Sequence, residues 1–200
     1  MRKNRLAALF LVAALSLTAA VGCSGNREHS SSHDETSYKI SEDGRLDGLA
    51  DKEYKVGISE EADVNETLFK LNKVIDSGKT TDSGEHYVYL DVTIHNATEK
   101  EYELSMLNNF FILFGDTTEA HYDIRTQLYA AKNLDGYQGS DFTVPAKGSF
   151  SGVVGGFLVP SAQNEYTVCF FPSLDDERDK SNVIKVKVDQ SNISKLTPAA

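Results

Sequence analysis

The chain has 200 residues, with 20 Lys and Arg against 30 Asp and Glu, for a formal charge of −10. A surface this acidic argues against nucleic acid, whose phosphates need Lys and Arg to displace counterions, and against charge-driven binding to anionic lipid headgroups. The two Cys, Cys23 and Cys169, exclude a disulfide-stapled scaffold and any Cys-only zinc site.

Residues 1–22 have the three parts of a secretory signal: basic Arg2, Lys3 and Arg5, an apolar core from Leu6 to Leu17, then small residues to Gly22. The core is shorter than the about 20 apolar residues of a spanning helix. No other stretch approaches that length, so no membrane span is expected in the mature protein. The run Ala20-Val21-Gly22-Cys23 resembles a bacterial lipobox, with Ala20 where Leu is usual. That resemblance implies cleavage before Cys23, a diacylglycerol on its thiol and acylation of its new amino group. Each buried methylene contributes roughly 0.8 kcal/mol, so one chain anchors weakly and two or more hold firmly. The alternative is ordinary secretion, with a general signal peptidase leaving Cys23 as a thiol.

Residues 23–53 are polar and charged, with few large apolar side chains. Such a segment cannot bury enough surface to offset its ordering entropy, and it reads as a flexible tether. As a coil of about 27 residues it spans roughly 30 Å. His29 and His33 lie in it beside acidic residues, but an unstructured segment holds no preformed metal geometry.

From residue 54 the pattern becomes that of strands. Val88, Leu90, Val92 and Ile94 alternate with Tyr87, Tyr89, Asp91, Thr93 and His95, a period of two with one face in a core. Further strands are expected over Glu66–Ile75, Asn109–Phe114, Phe142–Val144, Ser149–Val159, Tyr166–Phe171 and Val183–Val188. In the last of these, Val183 shares a face with Lys185 and Lys187, and Ile184, Val186 and Val188 are read as out of register. The stretch Asp123–Ser140 is long for a loop and holds Leu128-Tyr129-Ala130-Ala131; a short helix and an extra strand are both open there. No convincing amphipathic helix of ten residues stands out. The fold expected is all-β: an immunoglobulin-like antiparallel sandwich of about seven to nine strands over residues 54–190, followed by a tail at 191–200.

Chemical motifs are weak. Ser77-Gly78-Lys79-Thr80 looks like the end of a phosphate-binding loop, but Lys73 stands where that loop needs its first Gly, so a polar hairpin turn is expected. The acidic run Leu174–Asn182 fails as a calcium loop, with Lys180 at the turn-glycine position and Val186 at the bidentate-Glu position. His86, His95 and His121 are the His of the body, and an odd separation sends His86 and His95 to opposite faces of an unbroken strand. Cys169 lies in an apolar strand, where a thiol acts as a small hydrophobe. No nucleophile–base pair is apparent, so no catalytic residue, metal ligand or cofactor is assigned. The outward face of Tyr87, Tyr89, Thr93 and His95 is the candidate partner surface, unless other parts of the chain cover it.

Tyr87 through Thr98 is similar to the central motif of a bacterial lipoprotein family of unknown function: a persistent strand ending in Asn, then a polar turn. A second signature resembles Val144-Pro145-Ala146-Lys147-Gly148 with Gly152 through Pro160. The resemblance implies an immunoglobulin-like sandwich similar to secreted immunoprotective antigens of actinobacteria, and it supplies no catalytic or binding residues. Together these features lead us to expect a binding module, not an enzyme, held by Cys23 to the extracytoplasmic face of the cell membrane. Its partner would be a protein, an envelope polymer or a small ligand, and not nucleic acid. The alternative is a metal-handling surface lipoprotein that uses His and acidic loops.

Overall fold

The computed structural model describes residues 52–115, 118–172 and 181–195. The signal, Cys23, most of the tether with His29 and His33, and the greater part of the acidic run lie outside them. The described residues hold thirteen strands and one α-helix. The first strands are β1 (Lys52–Val56), β2 (Glu61–Val64), β3 (Thr67–Thr80) and β4 (Glu85–Asn96). They are followed by β5 (Tyr102–Leu104), β6 (Phe110–Phe114), β7 (Thr118–Glu119) and β8 (His121–Tyr122). Helix α1 (Ile124–Asn133) comes next, then β9 (Phe142–Val144), β10 (Ser149–Pro160) and β11 (Glu165–Phe170). The order ends with β12 (Asn182–Asp189), a 3-10 turn at Gln190–Asn192 and β13 (Ile193–Lys195). Eight strands have four residues or more; the other five are pieces of two or three.

Two main sheets face each other. One runs β1-β12-β11-β6-β7, the other β13-β3-β4-β10-β8 with β2 beside β3, and β5 pairs with β9 apart from both. Pairing is antiparallel except at two margins, where β1 lies parallel to β12 and β13 parallel to β3. The molecule is thus an all-β sandwich. Residues 191–195, expected in a tail, instead complete the turn and form β13, because this segment finds free backbone groups along β3.

The core lies between the sheets. Val88, Leu90, Val92 and Ile94 all point into it, as their alternation predicts. So do Ile184, Val186 and Val188: two-residue spacing puts all three on one face, which corrects the expected loss of register. Phe69 of β3 stacks on Phe170 of β11 across the gap, with centroids 4.4 Å apart. Such a pair contributes about 0.5–1.5 kcal/mol beyond the area it buries.

The sequence signature around Asn96 has a structural cause. The fully buried Asn96 side chain donates to the carbonyls of Lys100, Val144 and Pro145 and accepts from the backbone and hydroxyl of Thr98. One side chain therefore ties the end of β4 to the β9–β10 turn.

The outer face of the second sheet departs from expectation. Helix α1 packs on it through Thr126 and Ala130, closing a small second core with Ile75, Tyr87, Tyr89, Val153 and Leu158. Asp123 caps the helix, accepting from the Arg125 amide at 2.7 Å. Tyr89 donates to the Thr126 carbonyl at 2.7 Å, and Tyr137 donates to that of Gly155 at 2.7 Å. The helix fits against a bulge in β10, where Gly155 and Gly156 take positive φ angles of 92° and 144°. A Cβ on Gly156 would lie 2.5 Å from the Thr126 hydroxyl, so the close approach requires glycine there. The bulge also switches parity: Val154 faces the main core before it, Phe157 and Val159 after it.

Candidate functional site

The partner face expected from sequence divides in two. Tyr87 and Tyr89 are buried beneath α1 and are not available to a partner, which corrects that half of the expectation. Thr93 and His95 stay half-buried on the uncovered part of the sheet. Thr93 shares hydrogen bonds with Asn72 and Ser151, while His95 Nδ1 lies 2.9 Å from Ser149 Oγ. His95 and Ser149 are cross-strand partners on an open face, not members of a cleft. His121 is exposed in β8, and Cys169 is buried with Phe111, Leu113, Phe171 and Val183.

A different group of residues comes together at one end of the sandwich. His86 opens β4, and unbroken alternation puts it on the interior side with Val88. Diagonally across, at the end of the regular part of β3 and paired with Val88, stands Asp76. Its carboxylate accepts from His86 Nδ1 at 2.8 Å through one oxygen and from the Gly78 amide at 2.8 Å through the other. Gly78 adopts φ 72° in a bulge between Asp76 and Thr80, so the phosphate-loop look-alike is a strand irregularity that holds this carboxylate.

These two residues line a cavity of about 230 Å³, together with Tyr166 at the start of β11, Gln163 before it, and Lys195 of β13. That exceeds the about 10–15 Å³ one water needs and falls below the roughly 300–1,000 Å³ of sites for drug-sized ligands. It has room for a small molecule. Val88, Val159, Pro160 and Ile193 supply an apolar wall.

Tyr166 is the unusual member. The residue is 3% exposed, and its hydroxyl is the one buried side-chain polar atom among the described residues that lacks a hydrogen-bond partner. Burial raises the pKa of this phenol, and the nearby Asp76 charge raises it further, so it is a neutral donor at any physiological pH. A buried polar group left unpaired costs about 1–3 kcal/mol.

The chemistry of the pocket follows from its donors. Facing the Asp76 carboxylate, His86 Nδ1 is the donor of the pair, and its Nε2 has no hydrogen-bond partner among the described residues. Ser161 also lines the cavity, but its hydroxyl donates to the Gly84 carbonyl and not to His86. The Asp76–His86 pair thus resembles a general base without an engaged nucleophile. Among the described residues no three His, Cys, Asp or Glu side chains stand close enough to share a metal ion.

A family model for a domain of unknown function (DUF4352) matches residues 56–189. No protein of curated function matches the chain. Among solved structures, ycdA of Bacillus subtilis subsp. subtilis str. 168, a candidate lipoprotein, is 18% identical with a TM-score of 0.48. The match covers 68% of this chain but only 40% of that one. The yjhA protein of Bacillus subtilis is 20% identical over 68% of this chain and 99% of its own, with a TM-score of 0.47. An uncharacterised β-sandwich protein of Clostridium difficile 630 is 14% identical over 69% and 95%, with a TM-score of 0.37.

Proposed function

The chain belongs to the family of the domain of unknown function DUF4352, and from that premise we propose that it is a membrane-tethered binding module whose sandwich takes up a small polar ligand. The observation that carries the reading is the cavity that the Asp76–His86 pair shares with Tyr166, a residue whose buried hydroxyl has no partner among the described residues. Binding is favoured over catalysis because the Ser161 hydroxyl is committed to the Gly84 carbonyl, which leaves the Asp76–His86 pair without a nucleophile. The tether begins at Cys23, which carries the lipid and holds the body at the extracytoplasmic face of the cell membrane. The reading is supported there by the signal, the small residues before Cys23 and the polar segment after it. The likeness to secreted immunoprotective antigens of actinobacteria rests on the sequence motifs alone.

The test is a heteronuclear NMR titration of the purified protein against mixtures of small sugars, amino acids, organic acids and polyamines. At least one mixture is expected to move the amides of Asp76, His86, Tyr166 and Ile193 together. If every mixture leaves those amides in place, the cavity is not a ligand site.

A further inference from the structure

The sheet β1-β12-β11-β6-β7 is apolar on both faces. Phe110, Ile112, Val168, Phe170 and Ile184 look into the main core, so alternation turns Phe111, Leu113, Cys169 and Val183 outward. With Phe171, whose ring meets that of Phe111 edge-on at 5.4 Å, these four form a separate cluster, and all five are at most 4% exposed. Outward-facing side chains this dry lie under a cover. The cluster draws its members from β6, β11, β12 and the residue after β11, no other described apolar side chain joins it, and α1 packs on the other sheet.

The point where the chain enters the sandwich identifies a source for that cover. The Lys52 amide donates to the Ser181 carbonyl at 3.1 Å, and Glu53 of β1 pairs with Val183, a member of the cluster. The residues before β1 therefore arrive beside the apolar face. The chain divides into two compact units, and the one that contains the sandwich begins at Thr36. Residues 36–51 carry four large apolar side chains, Tyr38, Ile40, Leu46 and Leu49. Fully extended they reach up to about 50 Å, against roughly 10 Å across the three strands of the cluster. On an extended approach to β1, an even step puts Leu49 on the same face as Glu53. The β11–β12 connection, residues 173–180, offers one apolar side chain, Leu174, for the five to be covered. We infer that residues 36–51 dock on the outer face of this sheet and lay Leu46 and Leu49 over Phe111, Cys169, Phe171 and Val183. The free leash to Cys23 then shortens to residues 24–35, a coil of roughly 20 Å, and the docked segment sets how close the sandwich sits to its anchor.

Two measurements on the purified protein test this. In NMR, nuclear Overhauser contacts are expected between the methyls of Leu46 and Leu49 and the rings of Phe111 and Phe171, at a strength that dilution does not change. Their absence overturns the inference. So do contacts that come from Leu174 in their place, or that fade on dilution, which would make the β11–β12 connection or a second copy the cover. The buried Cys169 thiol gives the second readout. Leu46→Asp combined with Leu49→Asp should raise the rate at which a maleimide labels Cys169, followed by peptide mass, by about tenfold or more, while the amides of β4 keep their positions. Leu174→Asp should leave that rate unchanged. A labelling rate that the double substitution does not alter, or that Leu174→Asp raises as much, overturns the inference.

Discussion

Replacing Tyr166 by Phe removes a single oxygen, and the structure predicts an unusual sign for the result. In most buried Tyr residues the hydroxyl has a partner, and its loss costs about 1 kcal/mol or more. Tyr89 is such a case: it is fully buried and donates to the Thr126 carbonyl at 2.7 Å. Tyr166 is similarly enclosed, but its hydroxyl bonds to nothing among the described residues. Removing it relieves an unmet desolvation cost of about 1–3 kcal/mol, reduced by any water in the cavity and by the small void that remains. The net expectation is a protein between unchanged and about 1 kcal/mol more stable. Tyr89→Phe, the same chemical change in the same molecule, should lose about 1–2 kcal/mol. Urea unfolding separates the two: with m near 1–3 kcal/mol/M, the midpoint of Tyr89→Phe falls by about 0.5–1 M while that of Tyr166→Phe holds or rises. Equal m-values show that only stability has changed. A drop for Tyr166→Phe as large as that for Tyr89→Phe would mean that the hydroxyl is structurally paired, and the argument for a ligand site at that atom would be refuted.

Cys23→Ser is expected to release the protein into the medium or to block its maturation; fractionation and mature mass report this, and a variant still in the membrane at unchanged mass contradicts the anchor. Gly156→Ala should destabilise by about 2–4 kcal/mol, because a positive φ of 144° and a contact of 2.5 Å with Thr126 must both be relieved. Hydrogen exchange over α1 should rise in that variant, and unaltered protection there would mean that the close approach is not needed. The Asp123 cap carries a pH dependence. Its hydrogen bonds with Arg125 hold the carboxyl at about 2, below its ordinary 3.8. The group is depressed in the folded state, so its contribution is full above about pH 5, fades from about 3.8 and is gone once pH falls through about 2. The difference in α1 exchange protection between the wild type and Asp123→Ala should follow that window. A difference that has already vanished at pH 3.8 contradicts the depressed value.

The strands were legible because one rule governs them. The alternation of Val88, Leu90, Val92 and Ile94 places β4 and its inner face; the same rule, missed in the sequence reading of Ile184, Val186 and Val188, puts those three on one inner face as well. The helix was not legible, because its two large aliphatic side chains face away from the body. Ile124 and Leu128 are 65% and 59% exposed, while the small Thr126 and Ala130 face the sheet. A hydrophobic pattern read from the sequence would orient such a helix wrongly. Its seat explains the choice: two glycines at a bulge leave room only for a thin helical face. Marginal strands such as β13 depend on a partner edge and carry little signal of their own. The pocket draws on β3, β4, β10, β11 and β13, whose residues lie up to 119 positions apart, from Asp76 to Lys195. Parity did place His86 inside, at the end of a row of aliphatic residues. That a polar residue sits there was the one available signal, and neither Asp76 on the neighbouring strand nor the missing partner of Tyr166 can be read from local pattern.

The most direct measurement is the NMR titration of the purified protein against the small-molecule mixtures. The account predicts that at least one mixture shifts the amides of Asp76, His86, Tyr166 and Ile193 together. A full set of mixtures that leaves all four in place would contradict it.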